Sequence, residues 1–185
     1  RTLSLAARDE GLDSATALRL FPQGGDSLLA WLDDWADRKM LEAVPADELA
    51  RLPIRRRISA LVRARLEVLP PHREAVRRAV LAHGMPQNVY ESGKALWRTV
   101  DRIWQAAALP PGADSGFSYY SRRATLASVV LATSLYWLED QSEDNRDTWA
   151  FLERRIEDVM RFGRFTGQLR SLLPFAGLGS RPTAP

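Results

Sequence analysis

From Ala124 to Leu138 the chain runs fifteen residues without a charge, and no other uncharged run is as long. A membrane-spanning helix needs about 20 predominantly apolar residues. This run is shorter and is interrupted by Thr125, Ser128, Thr133 and Ser134. A strand rarely exceeds about 10 residues. The run therefore predicts a helix over residues 119–138, apolar on nearly every side, and such a helix belongs at the centre with others around it.

The rest of the chain supplies those others. Ile54, Ile58, Leu61, Val62, Leu66 and Leu69 recur at steps of three and four, an amphipathic helix that Pro70–Pro71 ends. Residues 72–83 continue as a helix as far as Gly84. Val89, Gly93, Leu96, Trp97, Val100, Ile103, Trp104 and Ala107 share one face of a helix over 87–108, closed by Pro110–Pro111–Gly112. Ser142 can cap a last long helix over 145–163, with Glu143 and Asp144 favourable near its start and Trp149, Leu152, Ile156, Val159/Met160 and Gly163 on its stripe. Upstream, residues 2–10 form a short helix and Asp13 or Ser14 caps a second. Asp26 or Ser27 opens a third, to Ala43, and Ala46–Leu52 make a short turn. No segment alternates with period two, so the predicted class is all-α. The predicted divisions are a small head (1–52), a larger body (53–163), an amphipathic terminal helix (164–176) and a disordered tail (177–185).

Composition removes several chemistries. The chain has no cysteine, which excludes disulfides, thiolate nucleophiles and Cys-based zinc sites. It has two histidines, His72 and His83, both at helix ends or in loops. Gly24–Gly25 is followed by Asp26 and lacks the Lys-Ser/Thr of a phosphate loop. Asp101 lies between Trp97 and Trp104 as a lone acid and reads as a helix-packing residue. No catalytic residue, metal site or cofactor is predicted. With no secretory leader visible, the expected location is cytoplasmic, peripheral on the inner face of the cytoplasmic membrane. Arg1 in place of an initiator methionine indicates a cut or processed N-terminus.

Three short helices ahead of longer ones is the organisation of TetR-type regulators, whose head binds DNA. Charge argues against DNA here. Residues 1–51 hold six basic residues against ten acids, and an acidic head repels phosphates. The basic surplus lies instead in residues 54–78, where eight arginines face two glutamates. That surplus is either a solvated face balancing the acids or a contact for an acidic partner or anionic lipid.

What the body offers is apolar volume. Bulky aromatics beside small residues such as Ala127, Ser128 and Ala132 can line a cavity rather than fill it. The candidate lining is Trp97, Val100 and Trp104 from 87–108; Leu126, Val130, Leu131, Ser134 and Leu135 from 119–138; and Trp149, Leu152 and Ile156 from 145–163.

The segment from Asp140 to Met160, with its Asp147-Thr148-Trp149-Ala-Phe151-Leu152 block, resembles the signature of the accessory lipid-binding family of ubiquinone biosynthesis, the ninth of the Coq series. Leu20-Phe21-Pro22, Arg63-Ala64-Arg65-Leu66, Pro86-Gln87-Asn88, the run Leu96–Trp104 and Tyr120–Ala124 follow in the family's order. The resemblance covers roughly residues 12–163. It implies a TetR-like helical bundle that has lost DNA binding, and a homodimer with an apolar cavity for isoprenoid quinone intermediates or phospholipid. It implies presentation of a quinone intermediate to the demethoxyubiquinone hydroxylase, with peripheral membrane contact. It places the hydroxylase contact at Tyr119, Tyr120 and Arg123, and membrane contact at Phe165, Leu169, Leu172 and Leu173; the alternative for that last stretch is a terminal helix docking its leucines on the body. In the loop Pro110–Ser118 the chain departs from the family, which carries more acids there. Two other functions stay open at this level: a ligand-responsive TetR-type repressor, and a scaffold whose pocket is vestigial.

Overall fold

The structure, a computed structural model, describes residues 2–83, 89–108 and 117–172, with side chains in the last helix described as far as Arg161. Helices account for nearly all of them, and no strand occurs among the described residues. In chain order they are α1 (Thr2–Asp9), α2 (Ser14–Leu20), α3 (Gly25–Ala43), α4 (Ala46–Ala50), α5 (Ile54–Glu67), α6 (Arg73–His83), α7 (Val89–Ala107), α8 (Phe117–Glu139) and α9 (Arg146–Leu172). The expected loop at 84–88, most of the 110–118 loop, Leu173 and the tail 177–185 lie outside the described residues.

The first two helices form a helix-turn-helix. Gly11 supplies a positive φ of 70° in the turn, a left-handed conformation that glycine adopts freely. Asp13 caps α2 by accepting from the Ala15 and Thr16 backbone N–H groups, both at 2.9 Å. The expected cap on α3 is different. Gly24, at φ 64°, stands at the N-cap, so neither Asp26 nor Ser27 opens the helix. The Ser27 hydroxyl instead accepts from the Gln23 N–H at 3.0 Å.

The centre of the bundle also differs from expectation. The helix that touches α3, α7, α8 and α9 is α5, not α8. It is the arginine-rich segment, yet Leu61, Val62 and Leu66 are almost fully buried in it. Arg57 of α5, and Arg73 and Arg77 of α6, bond to neighbouring elements, while Arg55, Arg56, Arg63 and Arg78 stay exposed. Arg57 donates to the carbonyls of Leu52 (2.7 Å), Ala50 (3.3 Å) and Ala107 (2.8 Å), tying the ends of α4 and α7 to α5. Arg73 donates to the Asp140 carbonyl and to the Asn145 side chain. Arg77 holds the Leu138 carbonyl at 2.6 Å and pairs with Glu139. α8, in turn, is open along one side, with Leu131 and Leu135 each nearly half exposed.

Asp37 of α3 is the most heavily bonded acid in the interior. It is 2% exposed. It accepts from Arg65 Nε of α5 at 2.8 Å, from Thr99 Oγ1 of α7 at 3.0 Å, and from Arg102 of α7 at 3.2 Å. Arg65 and Arg102 reach on to Asp33 and Asp34, one helical turn back on α3. Three of the ten acids that made the head negative are thus the acids that dock α3 on the body, and Ala36 and Met40 beside them are fully buried.

The α8–α9 corner is built by the segment that carries the family resemblance. Asp140, 7% exposed, accepts from the Ser142 N–H (2.8 Å), the Thr148 N–H (2.9 Å) and the Thr148 hydroxyl (2.5 Å). It therefore caps α9 from inside, while Ser142 accepts from the Asp147 N–H at 3.1 Å. Residues 143–145 are not part of α9; they form a tight turn in which Asp144 and Asn145 take positive φ. The Trp149 indole N–H donates to the Asp144 carbonyl at 2.7 Å, and the Arg63 guanidinium lies 4.9 Å from its ring. Beyond the corner, α9 passes through Gly163 and Gly167 without a break. A glycine costs a helix only about 1 kcal/mol relative to alanine, too little to end it, so no boundary falls at 163–164 in the backbone.

Burial alone would raise the Asp140 carboxyl pKa; the hydrogen bonds from Thr148 and Ser142 outweigh it and hold the group below its ordinary 3.8. A carboxylate so lowered stabilises the fold above that ordinary value and loses its contribution as pH falls. Asp140→Ala is expected to lower stability by about 1–2 kcal/mol at neutral pH. In urea titrations the gap between wild type and Asp140→Asn should close as pH falls below about 4. Asp37→Ala, which leaves Arg65 buried with only Asp33, should cost about 3–5 kcal/mol by the same measurement.

Candidate functional site

The principal concavity lies between α3, α5, α6, α7 and α8, with a volume of about 420 Å³. Its walls are apolar: Leu29 and Leu32 from α3, Val76 and Val80 from α6, Leu96 from α7, and Leu135 from α8. Leu66, Leu69 and Val130 are buried at its base. It is a groove, open where Leu131, Leu135 and Gly93 reach solvent.

Gly93 has a specific place here. It sits mid-helix in α7 and lines the groove, and a Cβ built on it would meet nothing within 4 Å. No close packing in the chain demands a glycine at this point, although glycine weakens a helix. What its missing side chain does is leave the groove mouth wide.

Polar residues also line the groove: Arg65, Asp33, Thr99 and Ser134. Burial works against the Arg65 charge, but Asp33 and Asp37 outweigh it and raise the guanidinium pKa above its usual value. Nearby, the Arg102 hydrogen bond leads a set of attractions that lower the Asp34 carboxyl. Arg65 and Asp34 are therefore charged at neutral pH.

Four of the eleven residues expected to line a cavity do so: Val130, Leu131, Ser134 and Leu135, all from α8. Val100, Leu126, Leu152 and Ile156 are instead buried core. The three tryptophans pack elsewhere. Trp97 stacks on Tyr120 at 6.2 Å, Trp104 lies under the Arg122 guanidinium, and Trp149 serves the α8–α9 corner. The walls from α3 and α6 were absent from the sequence expectation. Leu29, Leu32, Val76 and Val80 carry only a helical stripe, and a stripe does not distinguish a core face from a groove face.

At the other end of α8 the expected partner residues do come together. Tyr119 and Tyr120 meet edge to face at 5.0 Å, and Tyr120 is 64% exposed. Arg123 does not share that surface. It is 4% exposed, its guanidinium lies 3.6 Å from the Tyr119 ring centre, and its Nε donates to Asp101 at 2.7 Å. Asp101 also accepts from Gln105 at 2.6 Å and is a packing acid, as its isolation in the sequence indicates. Phe165, Leu169 and Leu172 lie on the helical backbone of α9, but their side chains, and all of Leu173, fall outside the described residues.

Residues 89–163 match the COQ9 family. Among curated relatives, the mitochondrial ubiquinone biosynthesis protein COQ9 of Rattus norvegicus is 37% identical over 110 residues, 60% of this chain and 34% of that one. The Homo sapiens protein of the same name is 30% identical over 171 residues, covering 89% of this chain and 53% of its own. That of Xenopus tropicalis is 31% identical over 176 residues, covering 91% and 55%. The chain thus spans between a third and just over half of the length of these relatives. Among solved structures, a TetR transcriptional regulator from Nitrosomonas europaea superposes with a TM-score of 0.69 at 24% identity, over 85% of each chain. The expected cytoplasmic location is corrected by these findings, because the relatives are named as mitochondrial proteins. It rested on the lack of a visible leader, and composition carries no compartment signal of its own. Residues 89–163 are therefore a COQ9-family domain, carried on a chain with a TetR-like all-helical fold.

Proposed function

We propose that this protein is a non-enzymatic, lipid-binding member of the ubiquinone biosynthesis machinery. It takes an isoprenoid quinone intermediate or a phospholipid tail into the groove between α3, α6, α7 and α8. The observation that carries this reading is the groove itself: an apolar concavity of about 420 Å³ with a glycine at its mouth. Small-molecule sites run from roughly 300 to 1,000 Å³. Each CH₂ removed from water contributes about 0.8 kcal/mol, so a prenyl or acyl tail has ample drive to enter such a space.

The remaining roles follow from the family. The cargo is presented to the demethoxyubiquinone hydroxylase across the face displaying Tyr120, with Tyr119 and Arg123 holding that ring in place. The last turns of α9 are the membrane contact, and two copies form a homodimer. Among the described residues, no helix is long and apolar enough to cross a membrane.

Native mass spectrometry of protein purified from cells that make ubiquinone is expected to show a co-bound lipid or quinone. Gly93→Leu should lose it with a thermal midpoint at or above that of the wild type, because its added Cβ meets no neighbour and a helix-weakening glycine is gone. Protein that is free of lipid in both forms, or equally loaded in both, would remove the groove as the binding site.

A further inference from the structure

The walls of the groove are not equally secured. α3, α5, α7 and α8 each contribute side chains to the buried core. α6 does not. Of its described side chains, Arg73–Arg78, Val80 and Leu81, none is fully buried, and Leu81 is 68% exposed. Val76 and Val80 line the groove.

Arginines hold α6 at its first two turns, and the two bonds differ in kind. The Arg73 guanidinium lies 4.4 Å from the ring centre of Trp137, which is fully buried, and donates to the Asp140 carbonyl at 2.7 Å and to the Asn145 side chain. Arg73 is thus a fixed point. Arg77, one turn on, donates to the Leu138 carbonyl at 2.6 Å and pairs with Glu139. Its side chain is 38% exposed and that of Glu139 74%. Water can replace both partners, so this second bond opens at little cost. Before Arg73, Pro70 and Pro71 have no N–H to donate, and Pro70–His72 form a separate 3-10 turn. α6 therefore does not continue α5 and can turn about Arg73 without unwinding it.

The depth of the groove gives such a motion a use. Leu66 and Leu69 line it yet are only 2% and 3% exposed. The standing mouth at Leu131, Leu135 and Gly93 does not lay them open, so a wall must move before a tail can lie against them. We propose that α6 is a gate on the groove. It pivots at Arg73, is latched by Arg77, swings out to let a tail reach Leu66 and Leu69, and closes Val76 and Val80 over it. This rests on the proposed binding of a tail in that groove. Elements with few buried contacts are the ones that open locally while the core stays folded.

Hydrogen exchange read by mass spectrometry on the ligand-free full chain tests the motion apart from any ligand. After correction for intrinsic rates, amides of residues 77–81 are expected to exchange at least about tenfold faster than those of 58–66 in α5. Ile103→Val, a mild change at a fully buried residue of α7 that does not line the groove, should speed exchange in α5 severalfold and leave 77–81 unchanged, because α6 opens without the core. Exchange at 77–81 as slow as in α5, or accelerated by Ile103→Val as much as α5 is, overturns the gate.

Farnesol binding, followed by tryptophan fluorescence in stopped flow, tests its purpose. In Arg77→Met, association and dissociation should both quicken severalfold with Kd unchanged, because the latch is lost alike from the empty and the filled closed forms. Faster dissociation alone makes Arg77 a binding residue and overturns the gate. Unchanged rates put entry at the standing mouth and overturn it too. The comparison of wild type with Ile103→Val stands without Arg77→Met, so a latch variant that fails to fold leaves the test decisive. Farnesol bound by a protein whose α6 exchanges slowly overturns the gate alone; farnesol not bound at all overturns the groove reading, and the gate with it.

Discussion

The buried carboxylate of Asp37 holds the architecture together. It joins α3 to α5 through Arg65 and to α7 through Thr99 and Arg102. Taking such charges from water is costly unless each is paired and hydrogen-bonded, and here the partners come from two other helices, α5 and α7. The pairing fixes how α3 lies on the bundle. Leu29 and Leu32, on the same helix as Asp37, then become one wall of the groove, which Asp33 also lines. Without the ion cluster, α3 would have only a modest apolar stripe with which to dock.

The same logic accounts for half of the basic surplus, while Arg55, Arg56, Arg63 and Arg78 stay exposed. Arginines at 57, 65, 73 and 77 are neither a solvated face nor a free patch for an acidic partner. They hold carbonyl groups and acids on neighbouring elements. This explains how an arginine-rich helix can pack against α3, α7, α8 and α9. Long arginine stems pack along apolar surface while their planar heads satisfy helix ends that would otherwise be buried unpaired.

The most recognisable stretch of sequence, from Asp140 to Trp149, builds a corner and does not line the groove. Asp140 caps α9, Asp144 and Asn145 turn the chain through positive φ, and Trp149 closes the turn. Its service to function is indirect: it sets where α9 leaves α8. The aromatic pair at the start of α8 follows the same division of labour. Tyr120 is displayed, whereas Arg123 is buried against Tyr119 and Asp101, so the exposed ring has a rigid base.

Helix count, the punctuating prolines and glycines, the Asp13 cap and the all-α class were legible in the residues, because propensity, capping and a 3.6-residue period act over one or two turns. The packing role of Asp101 was legible too, as an acid alone on an apolar face. The position of the groove was not. Val100 and Leu126 read as well for a cavity as Leu131 and Leu135, yet the first two are core and the second two line the opening. Which apolar stripe meets another and which meets empty space depends on the angles between helices. Those angles are set by long-range pairs such as Asp37–Arg65 and Arg57–Ala107, whose members lie 28 and 50 residues apart. A local pattern specifies the helices; only the three-dimensional fold decides which of their faces stays open.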